Sequence, residues 1–261
     1  MVTLLGAGAL AVILYDAAHI ALALARGRDV AAASEAYERA APSQAPALLV
    51  AGDSTAVGTG AADPADSVAG RIARDLSPLH IDNLGRNGAR LADVAAQLRR
   101  APRRHYRVLL IQAGGNDILQ FTGYARLRED IDRVLQLATA RGDRVLLMAT
   151  GDVGTAPAIP WPLSVLLSER ARRVRDLLAH AAGEREAVHF VDLMQEGADS
   201  PFRREPARYY AEDGLHPSGE GYGLWYAQLR RSVSLAQWLA AGEPAPGPPA
   251  AASSTTYARQ R

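Results

Sequence analysis

The chain has 261 residues, with 29 basic against 28 acidic side chains and a net charge of +1. This balance supplies no overall positive field for nucleic acid. The absence of Cys excludes disulfides, thiolate nucleophiles and thiolate metal sites.

The first 25 residues are almost wholly apolar, broken by Asp16 and His19. A segment of this length is long enough to cross a bilayer. Positive charges follow it at Arg26 and Arg28, so an inserted segment would leave the rest of the chain in the cytoplasm. Three interpretations stay open for residues 1–25: a membrane anchor that ties the protein to the membrane or cell envelope, a cleaved segment, or an apolar helix packed on a cytoplasmic domain.

Composition divides the chain into three parts. Val30–Ala41 is polar and rich in Ala, which predicts a helix that ends at Pro42. We therefore expect an apolar N-terminal helix plus linker over residues 1–46 and one folded domain over residues 47–241. Pro, Ala, Ser and Thr dominate residues 242–261, which predicts a disordered tail.

Short apolar runs alternate with amphipathic stretches through the central domain. The apolar runs are Leu48–Ala51, Leu79–Ile81, Val108–Gln112, Val145–Ala149 and Val188–Val191. The amphipathic stretches are Ser67–Leu76, Leu91–Arg100, Tyr124–Ala140, Leu163–Ala182 and Ser218–Leu239. Continuous apolar strands that alternate with helices indicate a parallel sheet covered on both faces. The pattern predicts an α/β fold: a flavodoxin-like three-layer α/β/α sandwich around a five-stranded parallel sheet of order 2-1-3-4-5.

A serine follows the first apolar run directly. Ser54 stands in Gly52-Asp53-Ser54, where Gly52 lets the chain turn sharply. Ligands of open α/β sheets bind beyond the carboxyl ends of the strands, so this hydroxyl is a candidate nucleophile. Taken alone, the serine is also explained as the cap of the next helix.

An acid and a base stand three residues apart in a late loop, Asp213-Gly214-Leu215-His216-Pro217. At that spacing the carboxylate of Asp213 reaches one imidazole nitrogen of His216 and leaves the other for a serine hydroxyl. Pro217 restrains the backbone of His216 to an extended conformation. The pair is therefore a candidate base with its orienting carboxylate, although two ordinary loop residues would look the same singly.

Small and amide residues follow the second and third apolar runs. Gly88 ends Asn83–Gly88, where a residue without a side chain lets its backbone N–H face a ligand closely. Asn116 follows Gly114-Gly115, so its amide is expected in the same crevice. With the N–H of Ser54, these residues would supply three donors to an oxyanion. Singly, a turn and a helix cap explain them as well.

The four motifs, in this order, resemble the SGNH/GDSL hydrolase superfamily. Its first block resembles Gly52–Gly58, its second Asn83–Gly88, its third Gly114–Asp117 and its fifth Asp213–Pro217. The resemblance covers about residues 47 to 240 and departs from the family pattern at no catalytic position.

The resemblance assigns Ser54 as nucleophile, His216 as base and Asp213 as its orienting acid. It makes Ser54, Gly88 and Asn116 the oxyanion hole, with Gly85 as an alternative match for the glycine. It implies a serine esterase or lipase that hydrolyses carboxylic esters through an acyl-enzyme, with no metal or organic cofactor. An acyltransferase using the same acyl-enzyme and a non-catalytic binding module of the same fold are the alternatives.

The expected partner is a small-molecule or lipid ester and no nucleic acid, with membrane association through residues 1–25 as a further expectation. Three stretches after the strands are expected to line the substrate pocket: Gln120–Gly123, Gly151–Leu163 and Asp199–Glu212. Their apolar and aromatic residues would suit an acyl chain or an aromatic ester; they are Phe121, Pro160, Trp161, Phe202, Tyr209 and Tyr210.

Overall fold

A computed structural model describes residues 18, 19, 21–23, 25–194 and 200–240. Its centre is a five-stranded parallel sheet of order β2-β1-β3-β4-β5, as the apolar runs predict. The strands are β1 (Ala47–Gly52), β2 (His80–Asn83), β3 (Tyr106–Ala113), β4 (Gly142–Ala149) and β5 (Val188–Val191).

Helices cover both faces of the sheet, which confirms the three-layer α/β/α sandwich. The first helix, α1, comprises residues 18–33 apart from 20 and 24, which lie outside the described residues. The later helices are α2 (Ser54–Val57), α3 (Val68–Asp75), α4 (Leu91–Arg99), α5 (Gly115–Leu119), α6 (Tyr124–Thr139), α7 (Leu163–Gly183), α8 (Pro201–Arg204), α9 (Pro206–Tyr209), α10 (Gly219–Ser232) and α11 (Leu235–Ala240). One layer contains α4, α6 and α7, and the other contains α3, α10 and α11.

Burial on both faces explains why the central strands are continuously apolar. In β1, Leu49 and Ala51 pack under α4, α6 and α7, whereas Leu48 and Val50 pack under α3 and α10. All four side chains are at most 1% exposed. Fully burying one such aliphatic side chain favours folding by about 1.5–3 kcal/mol. The two faces of β1, β3 and β4 each contribute such side chains to one of the two cores.

The last amphipathic stretch is two helices rather than one. Helix α10 ends at Ser232, and Val233 is extended at φ −144° and ψ 151°. The carbonyl oxygen of Ser234 then accepts the first hydrogen bonds of α11. This break lets Leu235 and Leu239 of α11 pack into the core beside the sheet.

The predicted helix Val30–Ala41 is wrong over most of its length. Helix α1 ends at residue 33, where the Ser34 hydroxyl donates to the carbonyl oxygen of Val30 at 2.7 Å. Arg39 then pairs antiparallel with Ile81, through N···O distances of 3.1 and 2.8 Å. Because β2 is an edge strand, its outer polar groups need partners, and this demand overrides the local helical propensity.

The predicted apolar segment 1–25 falls largely outside the described residues, and so does the predicted tail after residue 241. Within the part of the chain that the structure describes, no helix is both long and apolar enough to cross a membrane.

Candidate active site

Ser54 begins α2 immediately beyond the carboxyl end of β1. The turn requires glycine at Gly52, whose φ is 151°, because a Cβ there would lie 1.8 Å from the carbonyl oxygen of Gln112. Asp53 caps α2 by accepting hydrogen bonds from Thr55 N at 2.9 Å and Thr55 Oγ1 at 2.7 Å. Burial raises the pKa of the Asp53 carboxyl, and the bonds from Thr55 partly offset that rise. The serine is thus fixed by its neighbours on both sides.

Gln97 of α4 also holds this turn, and no sequence motif pointed to it. Its Nε2 donates to the carbonyl oxygen of Gly52 at 2.9 Å, and its Oε1 accepts from Gly52 N at 2.8 Å. The side-chain amide therefore satisfies both backbone groups of the residue where β1 ends. A glutamine on the inner side of an amphipathic helix is the one feature that could have indicated this role.

The Asp213–His216 loop meets Ser54 across the sheet edge. His216 Nε2 lies 2.9 Å from Ser54 Oγ, and His216 Nδ1 lies 2.5 Å from Asp213 Oδ2. The second carboxylate oxygen of Asp213 accepts from Leu215 N at 2.9 Å and His216 N at 3.0 Å. The loop can approach because Gly60 lacks a side chain: a Cβ there would lie 2.4 Å from the carbonyl oxygen of Pro217.

Electrostatics keeps the Asp213 carboxylate charged. Its side chain is fully buried, and burial alone would raise its pKa. The hydrogen bond and charge of His216, with the two backbone N–H groups, outweigh that effect and lower the pKa. An anionic carboxylate that is hydrogen-bonded to Nδ1 fixes the imidazole ring, so that Nε2 faces the serine hydroxyl.

Gly88 and Asn116 lie beside the serine in the same crevice. Gly88 has φ 76°, a conformation that favours glycine even though nothing crowds the position of a Cβ. The N–H groups of Ser54 and Gly88 donate no hydrogen bond within the described part of the chain. Gly85, by contrast, donates its N–H to Asn83 Oδ1 at 2.9 Å, which favours Gly88 as the glycine of the predicted oxyanion hole.

Two residues hold the short helix that carries Asn116. Asn116 Nδ2 donates to the carbonyl oxygen of Ala89 at 3.0 Å, which leaves its second amide hydrogen for the crevice. Asp117 Oδ2 accepts from Leu91 N at 2.9 Å and so joins α5 to the start of α4. Burial raises the pKa of the Asp117 carboxyl, against the effect of that bond.

Arg170 of α7 supports α5 from behind, and no motif indicated this role. The guanidinium is buried and donates to the carbonyl oxygens of Ile118 at 3.1 Å, Asp117 at 3.2 Å and Thr122. It also stacks over the ring of Phe121, with the guanidinium carbon 5.3 Å from the centroid. A positive charge at the carboxyl end of α5 satisfies the last carbonyl groups of that helix.

A cavity of about 560 Å³ opens from the serine and the histidine. Phe121, Phe202 and Tyr210 line it as expected, but Pro160, Trp161 and Tyr209 do not. Trp161 is 73% exposed, and Tyr209 is buried in the core. Burial raises the pKa of Tyr210 to about 12, so its phenol stays neutral and bonds Thr155 Oγ1 at 2.7 Å. Aliphatic side chains also line the cavity, among them Leu119, Val153, Ile159, Leu163, Leu167 and Leu193.

Helix α1 also lines this cavity, a placement that no motif indicated. Ala23, Gly27, Arg28 and Ala31 form part of the wall that faces the serine and the histidine.

Across the described residues, no three His, Cys, Asp or Glu side chains gather as metal ligands would.

Known proteins share this architecture. The GDSL-like lipase/acylhydrolase family matches residues 50–224. No curated protein sequence matches the chain. A lipolytic G-D-S-L family protein from Veillonella parvula superposes with a TM-score of 0.54 at 17% identity, covering 71% of this chain and 96% of its own.

Two further solved structures have a similar fold. TesA superposes with a TM-score of 0.54 at 22% identity, covering 73% of this chain and 99% of its own. An acetyl xylan esterase from Geobacillus stearothermophilus gives a TM-score of 0.50 at 18% identity, covering 72% of this chain and 94% of its own. These likenesses concern the fold. The family match spans most of the chain and includes all four motifs. The chain belongs to the GDSL-like lipase/acylhydrolase family.

Proposed function

We propose that this protein is a serine hydrolase of carboxylic esters with apolar acyl groups. One observation carries the proposal: Ser54 Oγ, His216 Nε2 and the buried carboxylate of Asp213 form a continuous hydrogen-bonded array at the mouth of an apolar cavity. Family membership supports a hydrolase of the esterase or lipase kind.

In the first step, the Ser54 hydroxyl transfers its proton to His216 Nε2 while Oγ bonds to the ester carbonyl carbon. The Nδ1–H of His216 donates to Asp213, whose negative charge stabilises the imidazolium that forms. The carbonyl oxygen becomes an oxyanion beside the N–H groups of Ser54 and Gly88 and the amide of Asn116. The imidazolium then protonates the leaving alkoxide as its bond to carbon breaks.

In the second step, water replaces the alcohol. It gives a proton to His216 Nε2 as its oxygen bonds to the acyl carbon, and the same three donors hold the new oxyanion. The bond between the acyl carbon and Ser54 Oγ breaks, and Oγ takes the proton from His216. The products are the carboxylic acid and the original enzyme.

The cavity lining supports an aliphatic or aromatic acyl group as the substrate class. The apolar residues of the lining offer few hydrogen-bond partners to hydroxyl-rich acyl groups. Each methylene group of an acyl chain that is buried against these residues favours binding by about 0.8 kcal/mol. The names of two solved relatives, a lipase-family protein and an acetyl xylan esterase, are consistent with an ester substrate without fixing its length.

We also propose that the protein acts at a lipid surface. Five large apolar side chains are exposed in the described part of the chain: Leu22, Phe121, Trp161, Val165 and Leu166. They belong to α1, to the start of α7 and to the loops beside the cavity, where they would meet the acyl region of a membrane. The double variant Trp161→Ser and Leu166→Ser should reduce flotation of the protein with phospholipid vesicles, and unchanged flotation would contradict the proposal.

The test of the reaction is hydrolysis of p-nitrophenyl esters of increasing acyl length by the wild type and by Ser54→Ala. We expect turnover that is lost in the variant, together with labelling of the wild type alone by a serine-reactive phosphonate. If no ester is hydrolysed and no label attaches to Ser54, the protein is a binding module on the same fold. A competing alcohol that captures most of the acyl group would instead indicate a transferase.

A further inference from the structure

Helix α1 is attached to the catalytic domain at both of its ends. Near the carboxyl end, the carbonyl oxygen of Ala31 accepts from Asn87 Nδ2 at 3.1 Å, and Asn87 Oδ1 in turn accepts from Thr59 Oγ1 at 2.6 Å. Near the amino end, His19 Nε2 lies 3.1 Å from the carbonyl oxygen of Pro157. The rise of a helix places Ala31 and His19 about 18 Å apart, so α1 bridges the crevice from one loop to the other.

Apart from Arg28, the residues of α1 that line the crevice are small. Ala23, Gly27 and Ala31 are spaced four residues apart, are half-buried and line the cavity that contains Ser54 and His216. This spacing puts all three on one face of a helix. Because their side chains are so short, the cavity beneath them stays open.

Gly27 lies directly over the catalytic acid. A Cβ built on Gly27 would lie 3.7 Å from Asp213 Oδ2, which is ordinary van der Waals contact. The helix therefore covers the buried Asp213–His216 pair on one side and bounds the acyl cavity on the other.

This wall lies outside the residues that the family match covers. That match begins at residue 50. TesA aligns over 99% of its length with 73% of this chain. Whatever α1 contributes is thus added to a hydrolase core that already holds the catalytic array.

We infer that α1 is the specificity wall of the acyl pocket, and that Ala23 and Ala31 set how long an acyl chain the enzyme accepts. This inference rests on the proposed ester hydrolysis. Each added carbon on these residues occupies space that an acyl chain would otherwise fill, and one methylene group more or less in such a pocket changes kcat/KM by about 10–200-fold.

The test compares Ala23→Leu and Ala31→Leu in the full chain with matched controls on the exposed side of the same helix. Ala25→Leu and Ala33→Leu add the same side chain, two residues away, where it points to solvent. The measured quantity is the ratio of kcat/KM for p-nitrophenyl decanoate to that for p-nitrophenyl acetate.

We expect the ratio to fall at least about tenfold in each inner variant. The ratio should stay within about twofold of wild type in each control. Two inner positions are used so that poor folding of one variant, judged by thermal melting, leaves the other to decide. Inner variants with the wild-type ratio would overturn the inference, as would controls that lose as much as the inner variants.

The failure of this inference is distinguishable from failure of the proposed function. A wild type that hydrolyses no ester, and whose Ser54 resists phosphonate labelling, refutes the hydrolase itself. A wild type that hydrolyses esters while the inner variants keep its chain-length profile refutes only the wall. Wild-type enzyme restricted to acetate would also overturn the inference, because a cavity of about 560 Å³ bounded by α1 must admit longer chains.

Discussion

The two sides of the crevice are built differently. On the catalytic side, Ser54, Asn116 and His216 stand at strand ends or in the loop beyond, and each is fixed by hydrogen bonds to its neighbours. On the opposite side, α1 presents Ala23, Gly27 and Ala31 beside Arg28, and the first three carry no polar side-chain atom. If the two proposals hold, we expect catalysis to depend on a few hydrogen-bonded polar atoms and selectivity to depend on how much space the wall leaves.

The comparison predicts the largest effects on the catalytic side. His216→Ala should lower kcat by about 10⁶-fold, because the serine then lacks a base. His105 provides a matched control, since its Nε2 also pairs with a carboxylate, Asp143 Oδ1 at 2.7 Å, but before β3 and far from the strand ends that hold Ser54.

The measurement is kcat for p-nitrophenyl butyrate, with circular dichroism to verify folding. His105→Ala should keep wild-type kcat. If both variants were equally impaired, the effect would be one of folding and not of a specific base.

A smaller effect is expected at the oxyanion donor. Asn116→Ala should lower kcat by about 10²–10³-fold and leave KM nearly unchanged, because the amide would contact charge that develops only in the transition state. Steady-state kinetics on a short-chain ester separates the two constants. A variant that raised KM with normal kcat would place Asn116 in ground-state binding instead.

The support for the serine turn predicts a loss of stability. Gln97→Ala removes the partner of the Gly52 N–H and leaves the Gly52 carbonyl oxygen with its bond from Arg86 N alone, which should lower the free energy of unfolding by about 1–3 kcal/mol. Urea denaturation measures the change. Gln136→Ala, on the exposed face of α6, is the control and should leave the midpoint unchanged.

The smallest effect is a pH dependence at Asp213. Its carboxyl has a lower pKa in the folded protein than in the unfolded chain, so its contribution to stability is fully present above the unfolded value of about 3.9. That contribution is lost as the pH falls through the folded value.

Asp213→Asn removes the titration, so the stability difference between wild type and this variant should shrink as the pH is lowered from about 5 to about 2. Urea unfolding at several pH values measures it. A difference that stays constant over this range would mean that the carboxylate gains nothing from its charged partners.

The sequence predicts the catalytic side well because its residues carry chemical signatures. Apolar runs locate β1, β3 and β4, and the topology of parallel sheets brings the residues after them to one edge. Ser54 follows β1, and the loop that carries Asp213 and His216 meets it at that edge. Their roles in catalysis stay predictions until the variants above are measured.

The rest could not be predicted because it depends on tertiary partners. Alanine and glycine in α1 have no chemical signature, and only the crevice beneath them makes them a wall. The early end of α1 at residue 33 depends on the exposed edge of β2, which pairs with Arg39. Gln97 and Arg170 are ordinary helix residues until the backbone groups that they satisfy come within reach.

Ser54, the proposed nucleophile, and His216, its proposed base, lie 162 residues apart in the chain. During synthesis, the strand that precedes Ser54 emerges early, while the loop that carries His216 emerges only after the last strand. We therefore expect an incomplete chain to hold the serine without an activating partner and to hydrolyse no ester. Appearance of hydrolytic activity during refolding would therefore report the arrival of the final loop, later than spectroscopic signals from the sheet.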